Sequence, residues 1–558
     1  MSSTIGSFLA SRIAQAGTRD FFTVPGDFNL VLLDELLKQP DLRMIGCCNE
    51  LNAGYAADGY ARSTGGLSVV VVTYMVGGLS VINAAAGAYS DDLPLLVVSG
   101  GPNTNDAPAG HLIHHTLGEK DFYQTERCFA PVVAQTFNIR NIQDAPHLID
   151  AAITACLAKR KPVYLEIACN LAGAATSNPG PLTLPPLPPA TDSAALAAAV
   201  DAAAARINSA VKPVLVAGSK LRRAGACEAF LKLADSLGCA IAVMPDAKGL
   251  VPENHPSFIG TYWGVVSSPR CVEIVESSDC QFFAGPVFTD YTTTGWTTLN
   301  SPAKLLQAGP TSFRMAGADF SGIPLAEFLQ ALAEKVTRND ASLVTYRRQQ
   351  DPVAPPVPAS ESVPLALKEV RRQIQELLTP ETDVVVETGD SWFNGQKLHL
   401  PAGARYFFQM QYGSIGWATG ATLGVSLGAA AGRRTIALIG DGSFQLTAQE
   451  VSTMIRHGAT PIIFLFNNRG YTIEVEIHDG PYNNIKNWDY AGLMDVFNAG
   501  DGNGLGLRAT TAGELAEAIS KATAHRGPVL IECALDRDDC SAELLEWGSR
   551  VASANGRV

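Results

Sequence analysis

The sequence predicts an α/β protein built as three doubly wound, parallel-sheet domains, and three observations predict it. Short β-branched runs alternate with helical patterns along the whole chain, a pattern that implies right-handed βαβ crossovers and parallel sheets. Two proline-dense passages, Ser177 to Asp192 and about Asp340 to Pro364, cannot continue a helix or a central strand, so each reads as a linker. They divide the 558 residues into segments 1–180, 193–340 and 361–558. Composition supplies the third observation: 47% of residues are hydrophobic and 17% charged, against a usual charged fraction of about 25%, which excludes disorder and allows large cores.

Each segment contributes its own strands. In the first, Ser68–Thr73, Pro94–Ser99 and Pro162–Ile167 read as buried strands; in the second, Pro213–Ala217, Ala240–Met244 and Cys280–Ala284 do. The third offers Asp383–Glu387, Thr435–Ile439, Pro461–Phe466 and Val529–Glu532. First and last segments echo each other, since each has a small-residue helix (Ala53 to Arg62; Ile415 to Ala431), then an apolar strand and a glycine-containing turn. Two related domains are therefore expected. Ser63–Ser90 and Tyr406–Gly432 carry no charge, but glycines and glutamines interrupt them, so they read as strand-plus-helix cores rather than membrane spans.

Charge limits the partners. Lys plus Arg is 41 and Asp plus Glu 54, a formal charge of −13, with no basic run, so neither nucleic acid nor an anionic membrane is expected. Small molecules and further copies of the chain remain. The 11 cysteines form no CxxC pair and no disulfide framework, and they read as reduced, buried thiols of a cytoplasmic protein. Met1 to Arg12 shows no secretory signal.

The stretch with chemistry in it is Thr435-Ile-Ala-Leu-Ile-Gly-Asp-Gly-Ser443, followed by Pro461-Ile-Ile-Phe-Leu-Phe-Asn-Asn-Arg-Gly470. Two apolar strands flank an amphipathic helical passage, Leu446 to His457. Asp441 then ends the first strand and the Asn467–Asn468 pair the second, both at the carboxyl edge where open α/β sheets bind ligands. A carboxylate and an amide oxygen beside glycines suit a hard divalent ion such as Mg²⁺. The bland alternative is a helix-capping Asp and an Asn turn. Gly500 to Gly506 imitates a dinucleotide loop but does not follow a strand and open a helix, so it reads as a connection.

GDG, then 24 residues, then NN resembles the thiamine diphosphate signature. Further stretches resemble the pyruvate decarboxylase branch of the thiamine diphosphate-dependent 2-keto acid decarboxylases: VPGDFNLVLLDEL at 24–36, CCNELNAGYAADGYAR at 47–62, GHLIHHTLG at 110–118, ETGDSWFN at 387–394 and GYTIEVEIHDGPYNNIKNWDY at 470–490. The resemblance covers nearly the whole chain. It implies an aminopyrimidine-binding domain over 1–180, a central Rossmann-like domain over 193–340 and a diphosphate-binding domain over 361–558. It also implies non-oxidative decarboxylation of pyruvate to acetaldehyde and CO₂ through a thiamine diphosphate ylid and enamine, with Mg²⁺ held by Asp441, Asn468 and the Gly470 carbonyl.

Carried over residue by residue, the resemblance makes Glu50 the partner of the aminopyrimidine ring. Ile415 becomes the wedge that bends the cofactor, and the Gly413 carbonyl accepts from its amino group. Thr388, Gly442, Ser443, Tyr471 and Glu474 complete the cofactor set. Asp27, His114, His115 and Glu474 are implied to handle substrate and protons. Without the resemblance, Glu50 is a first-turn helix carboxylate after the Asn49 cap, and His111, His114 and His115 could be read as a helical zinc face lacking a fourth ligand. Tyr291, Trp392, Ile473 and Ile477 match bulky positions that narrow the substrate pocket, which favours pyruvate. Alternatives are a decarboxylase of aromatic or branched-chain 2-keto acids, a carboligase, a catalytically decayed cofactor-binding paralogue, or a nucleotide-dependent dehydrogenase. Met75 departs from the pattern, where relatives usually carry a small residue. The resemblance further implies a dimer of dimers whose active sites lie at the dimer interface.

Overall fold

A computed structural model describes residues 3–184, 191–298, 300–350 and 357–556, and their strands collect into three large sheets. Residues 185–190 of the first proline-rich passage and 351–356 of the second lie outside the described residues. The N-terminal sheet has six strands: Asp20–Thr23, Arg43–Gly46, Ser68–Val72, Leu95–Gly101, Thr136–Ile139 and Val163–Ala168. They lie parallel in the order second, first, third, fourth, sixth, fifth. The C-terminal sheet, from Thr382–Val386, Arg405–Phe408, Arg434–Gly440, Ile462–Asn467, Leu505–Ala509 and Val529–Ala534, is parallel and repeats that order. The echo between the first and last segments is thus an echo of topology.

The two domains meet through their small-residue helices, Glu50–Thr64 and Trp417–Gly428. A Cβ placed on Gly424 would lie 1.8 Å from the Ala56 carbonyl oxygen, and one on Gly59 2.3 Å from that of Ala421. Backbones this close leave no room for any side chain but hydrogen. Arg62 and Asp58 form a buried ion pair at 2.6 Å in this contact, and the Trp417 indole donates to Asp58 at 2.9 Å.

The middle sheet differs from a wholly parallel one. Phe258–Thr261, Ala240–Val243, Pro213–Ala217, Cys280–Ala284 and Leu305–Gly309 run parallel, but Ser312–Met315 and Ala318–Ser321 add antiparallel strands at one edge. Their connecting turns are too short for a crossover, so only antiparallel pairing can close them. The second linker also begins later than the prolines suggest. Ala341–Gln349 is a helix packed on the middle sheet: Leu343 is buried in its core, and Ser342 Oγ donates to the Pro213 carbonyl at 2.6 Å and accepts from the Ala240 amide at 3.0 Å.

The passage Leu446 to His457 is two helices rather than one, Asp441–Thr447 and Glu450–Arg456. The uncharged stretches become strand Ser68–Val72 with helix Val76–Ser90, and strand Arg405–Phe408 with helix Trp417–Gly428. Among the described residues no helix is long and apolar enough to cross a membrane. All 11 cysteines are free; five are buried, whereas Cys48 and Cys128 are exposed, contrary to the expectation that all were interior. Gly500–Gly506 precedes and enters the strand Leu505–Ala509, as a connection does.

Candidate active site

Strand Arg434–Gly440 hands Asp441 directly to the first turn of a helix, and the neighbouring strand ends at Asn467, so both residues stand at the carboxyl edge of the C-terminal sheet. Asp441 is 1% exposed. Its carboxylate accepts from the Gly442 amide at 2.8 Å and the Arg469 amide at 2.6 Å, yet burial still pushes its pKa up to about 6. Arg469 takes a left-handed conformation, φ +68°, which turns its N–H toward Asp441 and brings the Gly470 carbonyl back beside Asn468.

One end of the Asn468 side-chain amide meets Thr472 Oγ1, and the other lies 3.1 Å from the Gly470 carbonyl oxygen and 3.2 Å from Asp441 Oδ1. With its amide oxygen turned to that second end, Asn468 completes a set of three oxygens, one of them from a carboxylate. Octahedral Mg²⁺, with ligands at about 2.1 Å, sets adjacent ligand oxygens about 3 Å apart, so this set fits such an ion in chemistry and spacing.

Beside the three oxygens lies a cavity of about 350 Å³. Thr388, Ile415, Gly442, Ser443, Tyr471 and Glu474 line it, together with the three candidate metal ligands. Gly413 is off the wall but fixes the turn that presents Ile415, with φ +62° and Gly416 at +88°. Tyr55 and Asn83 of the N-terminal domain clamp that turn through Ser414 Oγ, at 2.6 and 3.2 Å. Glu474 projects, exposed, from the helix Thr472–Ile477, which packs on the helix Ala542–Ala554.

Several contributors went unassigned from sequence. Glu387 is fully buried behind the cavity, accepting from the Ala418 and Thr388 amides at 2.9 and 2.8 Å, and burial lifts its pKa to about 7. It ties the end of one strand to the start of helix Trp417–Gly428. Asp390 lines the cavity and accepts from Ser541 Oγ at 2.5 Å; burial raises its pKa to about 6. Both lie in ETGDSWFN, where a carboxylate beside an apolar strand was the available signal.

The remaining candidates form a second group. Asp27 Oδ2 is 2.7 Å from His114 Nε2, and Asp27 Oδ1 is 3.7 Å from His115 Nε2. The Phe28 ring stacks on His114 at 4.9 Å and lies 6.0 Å from His115. His111 turns away to Asp106 at 3.1 Å, and residues 111–115 are not helical, so the helical zinc face does not form. Glu50 opens its helix behind the Asn49 cap, which accepts from the Asn52 amide at 2.9 Å; Glu50 Oε1 lies against Gly77. All the cavity walls come from residues between Leu367 and Asn483, so neither Glu50 nor the Asp27–His114–His115 cluster lines it.

Met75 is buried with Phe28 and Tyr74 and accepts from Thr125 Oγ1 at 3.4 Å, so its thioether packs behind the histidine cluster. Of the pocket candidates, Ile473 lines the cavity; Tyr291 and Trp392 lie beside Gly413 with their rings 5.8 Å apart, and Ile477 packs toward Gly548.

The comparisons with known proteins match three successive stretches of the chain. Residues 3–125 match the thiamine pyrophosphate enzyme N-terminal TPP binding domain, 200–335 the central domain and 387–533 the C-terminal TPP binding domain. The chain is 52% identical over 561 residues to pyruvate decarboxylase 1 of Arabidopsis thaliana, covering 99% of this chain and 92% of that one. It is 52% identical over 559 residues to pyruvate decarboxylase 1 of Oryza sativa subsp. indica, covering 99% and 92%. For pyruvate decarboxylase 1 of Pisum sativum the identity is 51% over 561 residues, covering 99% and 94%.

Proposed function

The chain belongs to the pyruvate decarboxylase family of thiamine pyrophosphate enzymes, and from that premise we propose that it converts pyruvate to acetaldehyde and CO₂ without oxidation. The observation that carries this reading is the convergence of Asp441 Oδ1, the Asn468 side-chain amide and the Gly470 carbonyl at the edge of the cavity. Asp441, Asn468 and Gly470 would hold Mg²⁺, and Gly442 and Ser443 would meet the cofactor diphosphate at the start of their helix. Thiamine diphosphate supplies the electron sink that no side chain offers.

The chain's own groups bind, orient and move protons. Ile415 and the Gly413 carbonyl would hold the cofactor, and Thr388 and Tyr471 line the cavity that would receive it. Glu50 would hydrogen-bond the aminopyrimidine. Glu474, on the cavity wall, stands beside the substrate carboxylate and delivers a proton. Asp27 orients His114 and His115, which hold protons for release of the aldehyde. Tyr291, Trp392, Ile473 and Ile477 narrow the pocket toward pyruvate.

The separation of the two groups on one chain supports a site completed by a second copy. The cavity faces supply metal and diphosphate ligands, while Glu50, Asp27, His114 and His115 belong to the N-terminal domain of a partner. Dimers paired into tetramers follow, in a fermentative enzyme of the cytoplasm. A coupled aldehyde assay over pyruvate, branched and aromatic 2-keto acids, with and without thiamine diphosphate and Mg²⁺, tests the reading. Pyruvate should be preferred and turnover should require both additions; release of CO₂ only from the bulkier acids would overturn it. Trp392→Ala should raise kcat/KM for longer keto acids relative to pyruvate by about tenfold, the scale set by a few pocket methylenes.

A further inference from the structure

In doubly wound domains the carboxyl ends of the parallel strands form the edge that takes a ligand. In the middle domain part of that edge serves the neighbouring domain instead. Lys248, after the strand Ala240–Val243, donates to the Leu398 carbonyl at 2.8 Å. Trp263, after the strand Phe258–Thr261, is 1% exposed and lies within the core of the C-terminal domain. Its ring stacks on Phe393, centroids 4.9 Å and planes 3° apart, against the helix Asp390–Gln396 that carries Trp392. Its indole N–H donates at 2.7 Å to the carbonyl of Tyr291, in the segment after the strand Cys280–Ala284. Its own carbonyl accepts from Thr294 Oγ1 at 3.1 Å, so residues 291 to 294 are held to Trp263 at both ends. Trp547 adds a longer bond to the Tyr291 carbonyl, at 3.2 Å. Held in this way, the Tyr291 ring lies beside Gly413 with its centroid 5.8 Å from that of Trp392.

We propose that Trp263 is a positioning residue that sets substrate size by fixing Tyr291. The inference rests on the pocket reading proposed above, in which Tyr291 narrows the site toward pyruvate. The bond to the Tyr291 carbonyl orients that residue's peptide, and the peptide sets the direction in which the ring leaves the main chain. Without the indole N–H, only the longer of the two tryptophan bonds remains. The segment then turns more freely, and the ring leaves its place in part of the population. The space gained beside Gly413 and Trp392 is of no use to pyruvate, whose side chain is one methyl group, but it admits a branched chain. One neutral hydrogen bond is worth about fivefold in an equilibrium, so the preference shifts by about that factor.

The test is a double-mutant cycle between Trp263→Phe, which removes the N–H and keeps an aromatic ring, and Tyr291→Ala, which removes the ring that Trp263 is held to aim. The full-length protein with saturating thiamine diphosphate and Mg²⁺ is assayed on pyruvate and on a branched-chain 2-keto acid, and the ratio of the two kcat/KM values is the readout. Trp263→Phe should raise the branched-to-pyruvate ratio about fivefold, and Tyr291→Ala about tenfold. Added to Tyr291→Ala, Trp263→Phe should change the ratio less than about twofold, because no ring is left to misplace. A merely structural Trp263 would lower stability and both activities together and leave the ratio where it was. A ratio that does not rise in Trp263→Phe would overturn the proposal, as would an equal rise with and without the Tyr291 ring. If Trp263→Phe does not fold, 3-benzothienylalanine at position 263 keeps the indole shape without the N–H, and the same outcomes decide. Should Tyr291→Ala itself leave the ratio unchanged, the pocket reading fails and this proposal with it; a rise in Tyr291→Ala alone refutes only the role of Trp263.

Discussion

The N-terminal and C-terminal sheets share one strand order, yet their ligand-bearing edges differ in kind. At the C-terminal sheet, Asp441 is buried, its carboxylate, the Gly470 carbonyl and the Asn468 amide converge, and a cavity of about 350 Å³ opens beside them. The corresponding N-terminal chemistry is presented outward: His114 and Asp27 are more than half exposed at their side chains, 59% and 54%, with Phe28 as their support. One edge is a receptacle and the other an open face. The same topology thus carries two different edges, and on one chain the N-terminal cluster does not line the C-terminal cavity.

The comparison breaks most severely at the receptacle. Asp441→Asn should abolish Mg²⁺-dependent binding of thiamine diphosphate and lower kcat/KM at least about 100-fold, more than removal of a group that merely supports a ligand; tight binding measured by cofactor fluorescence quenching would contradict the assignment. His114→Gln tests the outward face. It should leave cofactor affinity near normal while lowering kcat about 100-fold, the typical worth of a positioned acid or base. A parallel loss of cofactor affinity would place His114 in the receptacle instead.

A smaller effect concerns the buried support of the cavity. Glu387 has its pKa raised from 4.5 to about 7 by burial, so the folded protein keeps a proton that the unfolded chain sheds between those values. Its contribution to stability is therefore fully present below pH 4.5 and is lost as pH rises through about 7. Glu387→Gln removes that titration, and its stability relative to the unaltered protein should improve on going from pH 5 to pH 8, by on the order of 2 kcal/mol. Denaturant melts at the two pH values measure this; a difference that stays constant would mean Glu387 does not titrate there.

Much of this was readable in the residues, for identifiable reasons. Asp441 and Asn468 follow apolar β-branched runs, and the end of such a run is also the edge of a parallel sheet, so spacing along the chain became proximity in space. The antiparallel edge of the middle sheet was not readable. Ser312–Met315 and Ala318–Ser321 are half-exposed and lack an apolar run. Helix Ala341–Gln349 was hidden by the prolines after it and by its polar sequence, of which Ser342 and Leu343 are the buried part. Glu387 acts through hydrogen bonds from the amides of a turn and a helix start, a property no pattern of residue types records. Met75 stood out as an anomaly in sequence, but its side chain turned inward, behind the histidines.

The central claim is that a working site takes Glu50 from one chain and Asp441 from another. It is tested most directly by mixing two inactive variants, Glu50→Gln and Asp441→Asn, dissociating them and letting them reassociate. In a two-fold dimer, each mixed pair would contain one site with both residues intact and one with neither, so decarboxylation should return to about half the unaltered rate per mixed dimer. If Glu50 and Asp441 of the same chain served the same site, every site in the mixture would remain defective. No recovery of acetaldehyde formation, with mixed dimers demonstrated by differential tagging, would contradict the account.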